Sequence, residues 1–185
     1  QRQMCIRDRA IAELRAEGLD VAGLSESEAE TVKHDTYIDD STIEIDMLAE
    51  LPDDYVRQPA EKLRLYRELD SIRREEDLLA FRDRLLDRFG PLPEAAVELL
   101  NVVRLRWEAV RLGMERVKVK NGLMIVQFVG EQNSPYYKSE TFMTLLRRIT
   151  AQPDRFVLKQ HNNRLAMTVR RVMNVGEAVE VLKSL

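Results

Sequence analysis

Few residues of this chain are spaced to do chemistry. The most pointed group is Arg84, Asp87 and Arg88, three charges within one helical turn. In a helix, positions 84 and 87, or 84 and 88, share a face, so a carboxylate and two guanidinium groups would meet a partner together. Such a set is a surface contact, or it is an ordinary helix C-terminus whose cations the helix dipole favours. Acid–base catalysis would also need burial that drives neighbouring titrations apart. The second group is Tyr136-Tyr137-Lys138. Adjacent aromatics beside a cation can stack on nucleobases or anchor a protein partner, or they can half-bury on the domain's own sheet.

Other chemistries lack their residues. None of the seven glycines opens a G-x-x-x-x-G-K-S/T phosphate loop, and there is no G-x-S-x-G elbow and no H-E-x-x-H pair. Cys5, His34 and His161 cannot by themselves supply four zinc ligands, and one cysteine cannot form an internal disulfide. No catalytic residue, metal or cofactor is therefore expected. A reducing, cytoplasmic setting fits the cysteine usage. No apolar run reaches the roughly 20 residues that cross a bilayer. Gln1 to Arg9 is charged, lacks a secretory pattern and reads as a foreign scar.

The elements that must position these groups follow from composition and period. The chain has 185 residues, 44% hydrophobic and 33% charged, which suits one folded domain with an appendage. Lys and Arg number 29 against 32 Asp and Glu, a net charge of −3 that gives no general reason to bind nucleic acid. The charge is uneven, however. Glu26 to Asp54 is mostly acidic, and Arg147, Arg148, Arg155, Lys159, Arg164, Arg170 and Arg171 make the C-terminal part basic. That basic half supports an alternative reading as a nucleic-acid-binding module, or it is a solvated face.

Ile11 to Arg15 reads as a helix end, residues 18–41 as a linker, and Thr42 to Met47 alternates like a half-buried strand. Leu51 to Tyr55 is a turn. Three helices follow, presenting Leu63, Tyr66, Leu69 and Ile72, then Leu78, Phe81, Leu85, Leu86 and Phe89, then Ala96, Leu99, Leu100, Val103, Trp107 and Val110. Gly90 and Gly113 end the second and third. Asn121-Gly122 between alternating runs predicts a tight hairpin. Ser139 opens a helix with Phe142, Leu145, Leu146 and Ile149. A second hairpin turns at His161-Asn162-Asn163, and Asn174 with Glu177 caps a last helix. The expected class is α+β: a helical N-terminal half packed on a small, mainly antiparallel sheet built from hairpins, with further helices.

Four blocks of this sequence carry a family resemblance. They are Leu51-Pro52-Asp53-Asp54-Tyr55-Val56, Leu63-Arg64-Leu65-Tyr66, Leu86-Asp87-Arg88-Phe89-Gly90-Pro91-Leu92-Pro93 and Leu112-Gly113. In order and spacing they resemble the C-terminal domain of bacterial transcription-repair coupling factors, with its pattern I-P-x-x-Y-I, R-L-x-L-Y, E-L-x-D-R-F-G-x-x-P and a long helix. The resemblance runs from about Ala10. It implies that residues 10–41 are the end of a motor lobe and a linker, and that 42–185 are a regulatory domain. The full protein would be an ATP-driven DNA translocase that acts on stalled RNA polymerase and recruits the excision-repair damage-recognition ATPase.

The motor motifs are absent from this chain, so no enzymatic activity is assigned to it. The resemblance implies instead an autoinhibitory contact with the N-terminal repair-factor-binding region of the same protein. A family carboxylate pair one turn apart, just before R-F-G, looks like part of that contact. Asp87 matches its second member, and Arg84 stands where the first would be, which reverses the sign there. Lys62 stands where the family usually has Arg.

Overall fold

The computed structural model describes residues 37–161 and 164–185, with the backbone alone at His161. Gln1 to Arg9, Cys5, the expected helix at Ile11 to Arg15, His34, the linker up to residue 36 and the Asn162-Asn163 turn lie outside the described residues.

The alternation at Thr42 becomes strand β1, Thr42–Ile45. Packing starts before it: Tyr37 and Ile38 lie against the core, and the Asp40 carboxylate accepts from Arg106 at 2.6 Å. Residues 37–41, assigned to the linker on sequence, are thus tied to the folded unit.

Helices α1 (Pro59–Ser71), α2 (Glu75–Phe89) and α3 (Glu94–Arg111) follow. In α1 the buried stripe is Leu65, Leu69 and Ile72, with Tyr66 half-buried at its margin. Leu63, expected in that stripe, is 52% exposed. Steps of three fall short of a 3.6-residue turn, so the series 63, 66, 69, 72 slips about 60° per step and leaves the core. Leu86 is likewise turned outward beside buried Leu85.

Helix α3 serves two cores, one from each side. Ala96 and Leu100, flanked by Leu99, Val103 and Trp107, close a core with α1 and α2. Leu105 and Ala109, with Val102, join the larger core under the sheet. The sequence pattern shows the first stripe, and the second is set by the sheet that packs on the other side of α3.

Strands β2 (Met114–Lys120) and β3 (Leu123–Phe128) form the first hairpin. Its turn has φ of 54° at Asn121 and 72° at Gly122, the paired positive values of a type I′ turn. A short 3-10 turn, Pro135–Lys138, leads to α4 (Glu140–Thr150), whose first turn is capped by the Ser139 hydroxyl accepting from the Phe142 amide at 3.1 Å. Strands β4 (Phe156–His161) and β5 (Arg164–Arg170) make the second hairpin, and α5 (Val175–Lys183) closes the fold. At its start, Asn174 accepts from the Glu177 amide at 2.7 Å, and Glu177 accepts from the Met173 amide at 2.7 Å.

The five strands lie in the order β1-β2-β3-β5-β4. All neighbouring pairs are antiparallel except β1 with β2, which is parallel, with Ile43 beside Val117. A parallel neighbour needs a crossover, and here the three helices supply it. Alternate residues Val117, Val119, Met124, Val126, Phe128, Met167 and Val169 face α3, α4 and α5 and are buried. The other face carries Arg116, Lys118, Lys120, Leu123 and Ile125 in exposed or half-exposed positions. The expected α+β class is borne out. The refinement is that α1 and α2 build their own core on the far stripe of α3.

Candidate functional site

The sequence blocks at 51–56, 63–66 and 86–90 converge on one small structure. Leu51 and Val56 are buried at either end of a tight turn, in which the Pro52 carbonyl accepts from the amides of Tyr55 and Val56 at 3.1 and 2.9 Å. The Leu51 amide donates to the Tyr66 hydroxyl at 2.9 Å, which fixes the turn to α1. The Tyr55 hydroxyl reaches the carbonyls of Leu85 and Gly90 at 3.1 and 3.0 Å, at the C-terminal end of α2. The Tyr55 ring packs on Phe89 with centroids 5.6 Å apart. Burial, the only cause acting there, pushes the Tyr55 phenol up, so it stays a donor. Lys62 pairs with Asp53 at 2.8 Å, which ties α1 to the same turn.

This turn buttresses the C-terminal end of α2, where the candidate charges stand. Arg88 donates to Glu61 of α1 at 2.6 Å, and Arg84 pairs with Glu68 of α1. Each guanidinium also lies near a ring of its own helix, Arg84 at 5.8 Å from Phe81 and Arg88 at 5.3 Å from Phe89. The two arginines thus bind α2 to α1 instead of pairing with Asp87. A groove lined by Arg64, Arg84, Asp87 and Arg88 runs between the helices. Asp87 is exposed and has no ion pair with any described residue.

One further carboxylate belongs to this face. Asp83 lies four residues before Asp87 and is therefore its neighbour on the outer surface of α2. Its side chain is exposed and is held by Arg82 at 2.7 Å. Leu86, 49% exposed, lies between them in sequence. Asp83 and Asp87 form a carboxylate pair one turn apart on this face. Its signal in the sequence is the i, i+4 spacing of Asp83 and Asp87.

The second candidate group is placed differently. Tyr136 is fully buried, its hydroxyl donates to the Leu112 carbonyl at 2.5 Å, and Phe128, Phe142 and Tyr137 surround it. Tyr137 is half-buried and donates to the Val129 carbonyl, while Lys138 is exposed. Tyr136 is therefore a core residue and offers no face for stacking. The basic C-terminal half is also divided. Arg147 and Arg148 end α4, where Arg148 donates to the Ser184 carbonyl, Arg155 and Arg171 flank the second hairpin, and Lys159, Arg164 and Arg170 lie on its strands.

Among the described residues, no group of three or more His, Cys, Asp or Glu could hold a metal ion. No described helix is long and apolar enough to cross a membrane.

Residues 45–139, which span the buttressed turn, all three helices and the first hairpin, match the TRCF domain family. This chain belongs to the TRCF domain family. Similar curated proteins include the transcription-repair-coupling factor of Escherichia coli strain K12, 33% identical over 86 residues, covering 46% of this chain and 8% of the relative. That of Rickettsia conorii is 26% identical over 121 residues, covering 65% of this chain and 10% of the relative. The chain thus spans about a tenth or less of these relatives. The crystal structure of a C-terminal domain of transcription-repair coupling factor aligns with a TM-score of 0.55 at 17% identity, over 78% of this chain and 96% of that one. At that identity the likeness speaks for a shared fold. The TRCF domain's outer α2 face, with Asp83, Leu86 and Asp87, is the candidate site for contact with another domain.

Proposed function

We propose that this TRCF domain is a regulatory, autoinhibitory interaction domain of an ATP-dependent DNA translocase that couples transcription to nucleotide-excision repair. It contacts the N-terminal repair-factor-binding region of the same protein and masks it at rest. The excision-repair damage-recognition ATPase, RNA polymerase and DNA are partners of the whole protein, in the cytoplasm. The domain itself performs no chemistry.

The observation that carries this reading is Asp87: a carboxylate with no ion-pair partner among the described residues, on a helix end held in place by Tyr55, Glu61 and Glu68. An uncompensated charge on a rigid support, beside exposed Leu86, is suited to a partner that brings a cation and an apolar surface. The contact must be worth only a few kcal/mol, since motor movement has to open it. In the full-length protein, Asp87→Lys should raise capture of the damage-recognition ATPase in the absence of ATP. Unchanged capture would remove the support for masking through this face.

The nucleic-acid reading has weaker support. Burial of Tyr136 takes away its main stacking residue.

A further inference from the structure

The open face of the sheet has a pattern that the α2 contact does not use. Strand register sets its middle row across the sheet as Lys118, Ile125, Thr168 and Val157. Ile125 is 39% exposed, and Leu123 in the adjacent row is 36% exposed. In that adjacent row Lys120 and Arg170 stand on either side of Leu123. The row on the other side begins at Arg116 and ends at Lys159, across Gln127 and Ala166. Glu44 pairs with Arg116 and Lys118 at 3.4 and 3.2 Å, and Glu115, at the irregularity of β2, pairs with Arg164 at 3.4 Å. Lys120 and Lys159 have no ion-pair partner among the described residues.

We propose that this face docks an acidic amphipathic helix of a partner protein. Rows two residues apart on a strand lie about 7 Å apart, so the two outer cationic rows are about 13 Å apart. A helix about 10–12 Å across fits between them, lying along the middle row and perpendicular to the strands. Its apolar stripe covers Ile125 and Leu123, and carboxylates on its flanks meet Lys120 and Arg170 on one side and Arg116 and Lys159 on the other. An apolar centre with a charged rim is the make-up of a protein interface. A nucleic acid fits less well. Among the described side chains the face has no aromatic ring for base stacking, and a phosphate backbone has no use for exposed Ile and Leu. The inference is independent of the α2 contact, and either can fail alone.

The test uses the 185-residue chain and a fluorescent synthetic helix of about 18 residues, with leucines in one stripe and glutamates on both flanks. A peptide of the same composition, with the residues spread round the helix, is the comparison. Binding in the micromolar range is expected, with amide shift changes confined to β2, β3, β4 and β5. The scrambled peptide should bind at least about fivefold more weakly. Lys120→Glu combined with Lys159→Glu should weaken binding about tenfold, and Ile125→Thr about threefold, with circular dichroism confirming that both variants fold. No binding at low salt, or equal binding of the two peptides, overturns the proposal. Tighter binding of a 20-base-pair duplex, unaffected by Ile125→Thr, overturns it in favour of nucleic acid.

Discussion

Arg88 of α2 donates to Glu61 of α1 at 2.6 Å, and this pair accounts for why Asp87 is left free one residue earlier. An arginine at i+1 could have screened the carboxylate locally. Instead it spans two helices, and Arg84 does the same with Glu68. The charges that looked like one cluster in sequence therefore divide into a structural pair of arginines and a free aspartate. Arg88 is largely exposed, so the pair itself holds little stability. Arg88→Ala should lower unfolding free energy in urea by about 0.2–1 kcal/mol. A loss above about 3 kcal/mol would instead mark a desolvated pair that the fold depends on.

Gly113 and Tyr136 make a much less forgiving contact. Gly113 has φ of 68°, and a Cβ there would come within 2.3 Å of the Tyr136 ring, which is itself fixed by the bond to Leu112. Gly113→Ala combines left-handed strain of about 1–2 kcal/mol with a steric clash in a packed core. A drop of more than about 2 kcal/mol in chemical denaturation is expected. Near-neutral behaviour would contradict the described packing of Tyr136.

The buried phenol should also govern alkaline stability. Burial first, and the neighbouring Tyr137 and Tyr37 next, push the Tyr136 pKa well above the ordinary tyrosine value. In the folded chain the phenol stays protonated, whereas in the unfolded chain it ionises near pH 10. Its contribution is therefore complete below about pH 10 and declines as pH rises beyond that. The decline for one such group approaches about 1.4 kcal/mol per pH unit. Urea titrations from neutral pH to above pH 10 should show this fall, and Tyr136→Phe should remove much of it. An identical slope in Tyr136→Phe would assign the alkaline loss to other groups.

At the start of α5, Asn174 and Glu177 satisfy two backbone amides between them. Asn174→Ala should cost about 1 kcal/mol, within the usual range for a lost N-cap. The helix carries Val175, Ala178, Val179, Val181 and Leu182 into the main core, so the loss should register in global unfolding. A purely local fraying seen by hydrogen exchange, with no change in the urea midpoint, would show that α5 opens separately.

What could be read in advance was what depends on neighbours in sequence. The Ser139 cap, the Asn121-Gly122 turn and the Asn174 cap each rest on contacts within a few residues, and each stands where its residues predict. Readings that depend on distant partners fared less well. Leu63 fits an apolar series, yet Leu65 faces the core, because only the opposing α2 and α3 decide which side of α1 is inside. Tyr136 looks polar-tipped and loop-bound, but the Leu112 carbonyl, 24 residues away, gives its hydroxyl a buried partner. The parallel seat of β1 beside β2 is fixed by three intervening helices and has no local signal. At the site, Arg84 and Arg88 were visible as charges, whereas their partners Glu68 and Glu61 lie on another helix, out of reach of any local pattern.

The central claim is that the outer face of α2 holds another domain through Asp87. Its most direct test is a calorimetric titration of this chain against the separately expressed N-terminal repair-factor-binding region of the longer protein. Asp87→Ala and Lys120→Glu are run in parallel. The account predicts micromolar binding, weakened at least about fivefold by Asp87→Ala and unchanged by Lys120→Glu on the far sheet. Binding that is indifferent to Asp87→Ala, or no binding at high concentration, would contradict it.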